Sequence, residues 1–166
     1  MKEIELTQGY KALVDDEDFE RVSQFRWHAV VEKSKGKNKR LRSVYAQRAL
    51  PRENGKQHKE RMHRFILGVG AVVEVDHKDS DGLNNQKDNI RKATDEQNAQ
   101  NMRKQENKTS RFKGVYWYKL RNCWRAKIRV KGVLKSLGYY KEERNGALAY
   151  DEAARKFFGE FALTNF

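Results

Sequence analysis

Residues 75–89 gather side chains suited to hydrolysis. The run is Val75-Asp76-His77-Lys78-Asp79-Ser80-Asp81-Gly82, with Asn85 and Asn89 behind it and Asn98 farther on. The chemistry these types suit combines a hard oxygen ligand, a neutral imidazole and a group that holds the imidazole still. Asp76 offers the oxygen, for Mg²⁺ or a similar ion. His77 is the side-chain type whose ordinary pKa lies nearest neutrality, so it can take a proton from water. An Asn carbonyl can accept the other ring N–H and fix tautomer and orientation. Asn89 and Asn98 are nine residues apart, about two and a half helical turns, so on one helix they would point in opposite directions. With Asn89 ahead of a helix and Asn98 inside it, both can face His77. Asn85 is the alternative to Asn89, although it sits in the turn.

The segment is an acidic island in a basic chain. Residues 71–101 carry a net charge of −3, against +6 for residues 1–70 and +10 for residues 102–166. Basic flanks around carboxylates suit a phosphate-binding protein that also holds a divalent cation. The 166 residues carry a net +13, with 36% charged and 37% hydrophobic. They make one medium domain or two small ones, with a modest core that the aromatic residues help to fill. Such charge points to nucleic acid, and next to an anionic membrane surface. A membrane binder needs a basic amphipathic helix or a long apolar run, and neither is found. The polar start Met1-Lys2-Glu3 does not read as a signal peptide. Cys123 is the only cysteine, which excludes an intramolecular disulfide and a Cys-rich zinc site and points to a reducing, cytoplasmic setting.

The positioning elements are legible from pattern. Residues 3–8 and 11–14 read as strands around Gln8-Gly9. Asp15 or Asp16 can cap a helix over 17–24, with Phe19 and Val22 inward. Phe25 to Val31 reads as a strand with Trp27 and Ala29 on one side. Residues 32–40 form a basic loop, either a phosphate contact or a solvated hairpin tip. Residues 42–50 and 56–62 pair across Glu53-Asn54-Gly55, and Pro51 sits at the strand end. Met62 to Leu67 makes a short helix closed by Gly68. Its His63 reads as a packing histidine before it reads as a ligand. Val72 to Val75 is a strand delivering Asp76-His77, Asp88 to Arg91 begins the return strand, and Thr94-Asp95-Glu96-Gln97 is a capping box that starts a helix. The unit is strand, loop, strand, helix.

Two other readings compete for the central run. Asp79-Ser80-Asp81-Gly82 could be a calcium loop, but position one would be His77 and position twelve Asp88 instead of Glu. Turn chemistry alone would explain Asp79, Asp81, Gly82, Asn84 and Asn85, but it leaves Asp76-His77 at a strand end unexplained.

With His63-Arg64, residues 75–85, Asp88-Asn89-Ile90-Arg91 and Gln97-Asn98-Ala99-Gln100-Asn101 in view, the chain closely resembles the H-N-H homing endonucleases of phages and mobile introns. The resemblance implies a ββα-metal fold, hydrolysis of a DNA phosphodiester and one divalent cation, Mg²⁺ or Mn²⁺, per active site. By position, His77 matches the general base, Asp76 a metal ligand, Asn89 the residue that orients the histidine, and Asn98 the second metal ligand. Many relatives carry His at the place of Asn98. A site of two protein oxygens and waters fits one metal and disfavours tight zinc. The metal's task would be to stabilise charge on the scissile phosphate and leaving oxygen.

Residues 102–110 read as a polar, basic linker whose Arg103, Lys104 and Lys108 could lie on phosphates. A second unit follows over 111–166. In Cys123 to Lys131 the alternation is clean, with Trp124, Ala126, Ile128 and Val130 on one side and Arg125, Lys127, Arg129 and Lys131 on the other. Four cations and no acid exceed what a solvated face needs. Residues 113–119 and 133–140 form the flanking strands. Glu142-Glu143 open a helix whose buried stripe is Ala147, Tyr150, Ala153/Ala154 and Phe157, closed by Gly159. Phe112-Lys113-Gly114-Val115, Trp124-Arg125-Ala126, Leu137-Gly138-Tyr139-Tyr140, Ala149 to Ala154 and Phe158 to Ala162 resemble the plant APETALA/ethylene-response-factor DNA-binding domain. That family lays a three-stranded sheet, backed by one helix, in the major groove. The matching positions are Lys113, Tyr116 and Tyr118, then Arg125, Lys127 and Arg129, then Lys135. Tyr116 and Tyr118 stand where plant domains usually carry arginine, so base preference should differ.

The reading is an α+β chain with an H-N-H nuclease domain over 1–101 (motif 72–101), a linker over 102–110 and a DNA-binding domain over 111–166. Its expected partner is double-stranded DNA, not a membrane, and it would act in a host cytoplasm as a phage or mobile-element product. One active site per chain makes nicking natural for a monomer; double-strand cleavage would need a dimer, weak or transient, or two sequential events. The rivals are a non-catalytic DNA-binding regulator, a restriction or defence nuclease, and a structural RNA-binding protein.

Overall fold

The computed structural model describes residues 1–33, 41–102 and 109–166. The basic segment 34–40 and the linker cations Arg103, Lys104 and Lys108 lie outside the described residues. The chain divides into two units, Met1–Thr94 and Asp95–Phe166. The architecture is α+β, with small antiparallel sheets and, among the described residues, four α-helices. None of these helices is long and apolar enough to cross a membrane.

In the first unit, β1 (Lys2–Glu5) pairs antiparallel with β2 (Lys11–Val14). The first strand stops short of its expected end because Gln8 and Gly9 turn at φ 63° and 74°. Helix α1 (Asp16–Ser23) follows. Strands β3 (His28–Lys33), β4 (Leu41–Glu53) and β5 (Lys56–Arg61) form a sheet with β4 in the centre. Asn54 and Gly55 both hold positive φ, 50° and 75°, the geometry that a tight hairpin demands. Helix α2 (Met62–Leu67) ends at Gly68, whose φ of 61° lets its N–H reach the carbonyls of Arg64 and Phe65. Met62, Val14, Val22, Trp27, Ala46 and Ile90 are core residues, and large side chains among them contribute about 1.5–3 kcal/mol each. Beside this core, the Arg48 guanidinium lies 3.8 Å from the Phe25 ring centroid and 4.4 Å from that of Phe65, and pairs with Glu60 at 2.6 Å. Cation–π stacking thus carries a charge against aromatic surface.

The hairpin that matters for chemistry is β6 (Glu74–His77) with β7 (Ile90–Ala93). The ladder pairs Asp76 with Arg91 and His77 with Ile90. Both strands lie about two residues later than the pattern predicts. The loop explains the shift: Lys78 N–H bonds to Asn89 O at 2.9 Å, and Asn89 N–H bonds to Gln86 O at 3.0 Å. Asp76 and His77 are therefore strand residues, held by backbone pairing.

In the second unit, α3 (Asp95–Gln100) leads to β8 (Val115–Tyr118), β9 (Cys123–Val130), β10 (Val133–Tyr140) and α4 (Glu143–Phe158). The sheet order is β10-β9-β8, all antiparallel. Helix α4 buries Ala147, Tyr150, Asp151, Ala154 and Phe158. Phe158, not the expected Phe157, completes the stripe, because the 3.6-residue period from Ala147 reaches it. Phe157 is 40% exposed. Gly114 has φ +77°, and a Cβ there would stand 1.9 Å from the Tyr150 ring, so only glycine fits this crossing. Asp151, 1% exposed, accepts hydrogen bonds from Asn165 N, Asn165 Nδ2 and Phe166 N at 2.8–3.0 Å. This buried carboxylate anchors the tail. The aromatic pattern alone does not reveal it.

Candidate functional site

Asp76 and His77 are adjacent, and strand alternation sends their side chains different ways. Asp76, 7% exposed, faces its ladder partner: Arg91 Nε and Nη2 both donate to Asp76 Oδ2, at 2.9 and 2.8 Å. His77, 6% exposed, packs between rings. Its centroid lies 5.0 Å from His63, nearly edge-on, and 5.9 Å from Tyr45. Burial lowers the His77 pKa below the ordinary 6.5, against opposing contributions from Asp79, an Asn85 hydrogen bond, Asp76 and Asp81. The imidazole is therefore neutral at physiological pH, the state in which it can accept a proton. His63 is more extreme. Burial first, then the charges of His77, Arg61 and Arg64, push it down to about 2. It is a neutral packing residue against His77.

The loop between the strands is held by side chain–backbone bonds. Asp79 accepts from Asp81 N at 2.8 Å, Asn84 Nδ2 at 2.8 Å and Asn89 Nδ2 at 3.0 Å. Burial pushes the Asp79 carboxyl up, but these donors outweigh it and hold its pKa below the usual value. Asp81 Oδ1 accepts Leu83 N, and Ser80 turns at φ 60°. Turn chemistry thus accounts for Asp79, Asp81 and Asn84. Gly82 has a separate reason: a Cβ there would lie 2.5 Å from the Tyr45 ring and from Val44 O. The loop lies directly on β4.

The Asn89 carboxamide is committed to this loop. Its Oδ1 accepts Asp79 N at 3.1 Å, and its Nδ2 donates to Asp79 Oδ1 and Asn84 O. Among the described residues, no hydrogen bond joins it to the His77 ring. Asn85 is among the neighbours that raise the His77 pKa, and its buried Oδ1 meets no well-aligned donor. Asn98 belongs to α3, in the second unit, so its candidacy as a ligand rests on sequence.

The far side of the loop is clasped by residues within the first eighteen. Leu13 N donates to Leu83 O and Asn85 N donates to Leu13 O, at 2.9 and 2.8 Å. Asp15 caps no N–H of α1 with its side chain. It accepts Gln86 Nε2 and Lys87 N instead, at 3.1 and 2.8 Å. Lys87 also pairs with Glu17 and Asp18. An aspartate ahead of a helix reads as a cap, and only the fold reveals that its partner is 72 residues away.

No three His, Cys, Asp or Glu side chains gather as a metal cluster among the described residues. One buried carboxylate, steadied by an arginine, suits a hydrated hard cation that keeps water or phosphate oxygens as ligands; it does not suit an ion encased by protein.

On the second unit, the register places Tyr116 opposite Arg125 and Tyr118 opposite Cys123. Paired residues share a face, so Tyr116, Tyr118, Arg125, Lys127 and Arg129 lie on the side away from the buried Ala126 and Ile128. Arg125 lies 5.6 Å from the Tyr118 ring centroid and 5.1 Å from Tyr139. Lys127 lies 5.0 Å from the Tyr116 centroid. Tyr139 was not among the expected contacts; a bulge between Ser136 and Gly138 brings it opposite Arg125. Two expected contacts stand apart. Lys135 pairs with Ile128, on the helix side, and its Nζ is 4.9 Å from the Phe157 centroid. Lys113 donates to Gln100 O at 2.6 Å, and burial lowers its ammonium to about 8. It closes the end of α3.

The chain is similar to two known proteins. Over 113 residues, 64% of this chain and 58% of the relative, it is 33% identical to an "uncharacterized HNH endonuclease" of Acanthamoeba polyphaga mimivirus. Over 58 residues, 35% of this chain and 48% of the relative, it is 38% identical to Protein 3.8 of Escherichia phage T7. The chain thus spans about half the length of these relatives. No family model matches the chain, and no solved structure matches it.

Proposed function

We propose that this chain is a metal-dependent, site-specific DNA endonuclease of the H-N-H homing type, built on a ββα-metal module. The observation that carries the proposal is His77: a buried, uncharged imidazole beside the buried carboxylate Asp76, on a hairpin whose loop is fastened at both ends. The relative named an HNH endonuclease adds support. Asp76 and Asn98 would hold one Mg²⁺ or Mn²⁺, which when bound stabilises charge developing on the scissile phosphate and the leaving oxygen. His77 takes the proton from the attacking water as the new P–O bond forms. Asn89 keeps the loop that carries this geometry. Arg91 holds the Asp76 carboxylate in one orientation. The second unit, in this proposal, is a reading module for double-stranded DNA of the APETALA/ethylene-response-factor kind. Arg125 and Arg129 offer forked donors to guanine, Lys127 contacts phosphate, and Tyr116 and Tyr118 hold the cations in place.

The test is cleavage of a supercoiled plasmid library by wild type and His77→Ala, with Mg²⁺, Mn²⁺ or EDTA. Wild type should cut only with metal. His77→Ala should bind normally and lose about 10²–10⁴-fold in rate. Relaxed circles ahead of linear DNA would identify nicking. Binding in every buffer with no cleavage would make the protein a DNA-binding regulator.

A further inference from the structure

Strand β4 alternates. Val44 and Ala46 are buried in the core of the first unit, so Tyr45 between them lies on the opposite face. Gln47 and its ladder partner Arg61 share that face. Two groups hold the Tyr45 ring there. The Arg61 guanidinium lies 4.3 Å from the ring centroid and is itself paired with Glu32. The β6–β7 loop closes against the same ring at Gly82, where a Cβ would stand 2.5 Å from Tyr45 Cδ1 and Cε1. Tyr45 in turn lies 5.9 Å from His77, tilted at 52°, and 5.9 Å from His63, edge-on at 77°. His63 and His77 are 5.0 Å apart at 79°. All three separations fall in the range of aromatic pairs. His63 is braced too, because its helix α2 is pinned to α1: Arg21 Nη2 donates to Ile66 O at 3.2 Å and to Asp18 Oδ1 at 2.6 Å.

Backbone pairing does not settle the direction of the His77 ring. The β6–β7 ladder fixes its Cα, but on a strand two χ1 rotamers are both common. A general base must come within about 2.6–3.2 Å of the atom it deprotonates, so only one of them can serve. We infer that Tyr45 and His63 are positioning residues that hold His77 in that rotamer, with Tyr45 set by Arg61 and Gly82. The inference rests on the reading of His77 as general base and adds to it two rings, from β4 and α2. A buried ring packed on two braced neighbours has no room for the other rotamer.

NMR on the metal-free full chain tests this without any cleavage. In wild type, three-bond couplings to the His77 Cγ should report one χ1 rotamer, with nuclear Overhauser contacts from its ring to those of Tyr45 and His63. Averaged couplings in wild type overturn the inference, whether or not any variant folds. In Tyr45→Leu the couplings should average. Its kcat should fall by up to about 10²-fold, while Kd for the same duplex in EDTA stays within about twofold of wild type. Tyr45→Phe keeps the ring and should restore the single rotamer and most of the rate. A folded Tyr45→Leu whose His77 couplings are unchanged overturns the inference, whatever its rate. So does a Tyr45→Phe that stays as slow as Tyr45→Leu, which would give the role to the hydroxyl. If wild type never cuts, the nuclease reading falls, and the couplings alone decide whether Tyr45 orients His77.

Discussion

His63 is the residue whose environment departs furthest from its ordinary state. Folded, it stays neutral down to about pH 2; unfolded, it takes a proton near 6.5. Below that pH the unfolded chain binds a proton that the folded chain refuses. Its contribution is therefore present above pH 6.5 and is lost as pH falls, by up to about 1.4 kcal/mol per pH unit. Urea midpoints at pH 7.5 and pH 5 should show the loss, and His63→Gln should flatten it. Gly82 offers a second residue-scale check. A methyl group at 2.5 Å from Val44 O and the Tyr45 ring must displace backbone as well as a side chain. Gly82→Ala should cost about 1–3 kcal/mol by thermal or urea unfolding. An unchanged midpoint would mean that the loop does not lie on β4 as described.

At the scale of elements, the second unit separates what holds from what reaches out. Helix α4 and the tail are joined by Asp151, whose carboxylate receives three N–H groups while 1% exposed. Asp151→Ala strands those donors and should destabilise the fold by about 3 kcal/mol or more. Asp151→Asn should recover part of that. The sheet makes the complementary prediction. Lys127 shares a face with Arg125 and Arg129, whereas Lys135 lies over Phe157. If the open face binds duplex DNA, Lys127→Ala should lower the slope of log K against log salt by about 1, and Lys135→Ala should leave the slope unchanged. Equal effects from the two would point to diffuse charge attraction and away from a defined face.

For the whole molecule, charge is the first determinant. With +13 overall and the acidic residues gathered at 71–101, binding to duplex DNA should be steeply salt-dependent. Six phosphate contacts would give a loss of roughly 10³-fold between 50 and 200 mM salt by filter binding or fluorescence anisotropy. A flat dependence would remove nucleic acid as the partner. Composition determines this property without any fold, because it is a sum over side chains. Periodicity likewise determined the order and type of the elements, from the Asn54-Gly55 hairpin to the Ala147–Tyr150–Ala154 stripe, because local patterns of two and 3.6 residues are written in adjacent positions. Asp76 and His77 stood out for the same reason, as two chemically unusual neighbours at a strand end. What the linear order could not contain is which side chain meets which across distance. Asp15 reaching Lys87, Leu13 gripping Asn85, Arg91 taking Asp76 and Asp151 holding Asn165 are pairings between separate segments. A donor's choice of partner is settled by packing and backbone register.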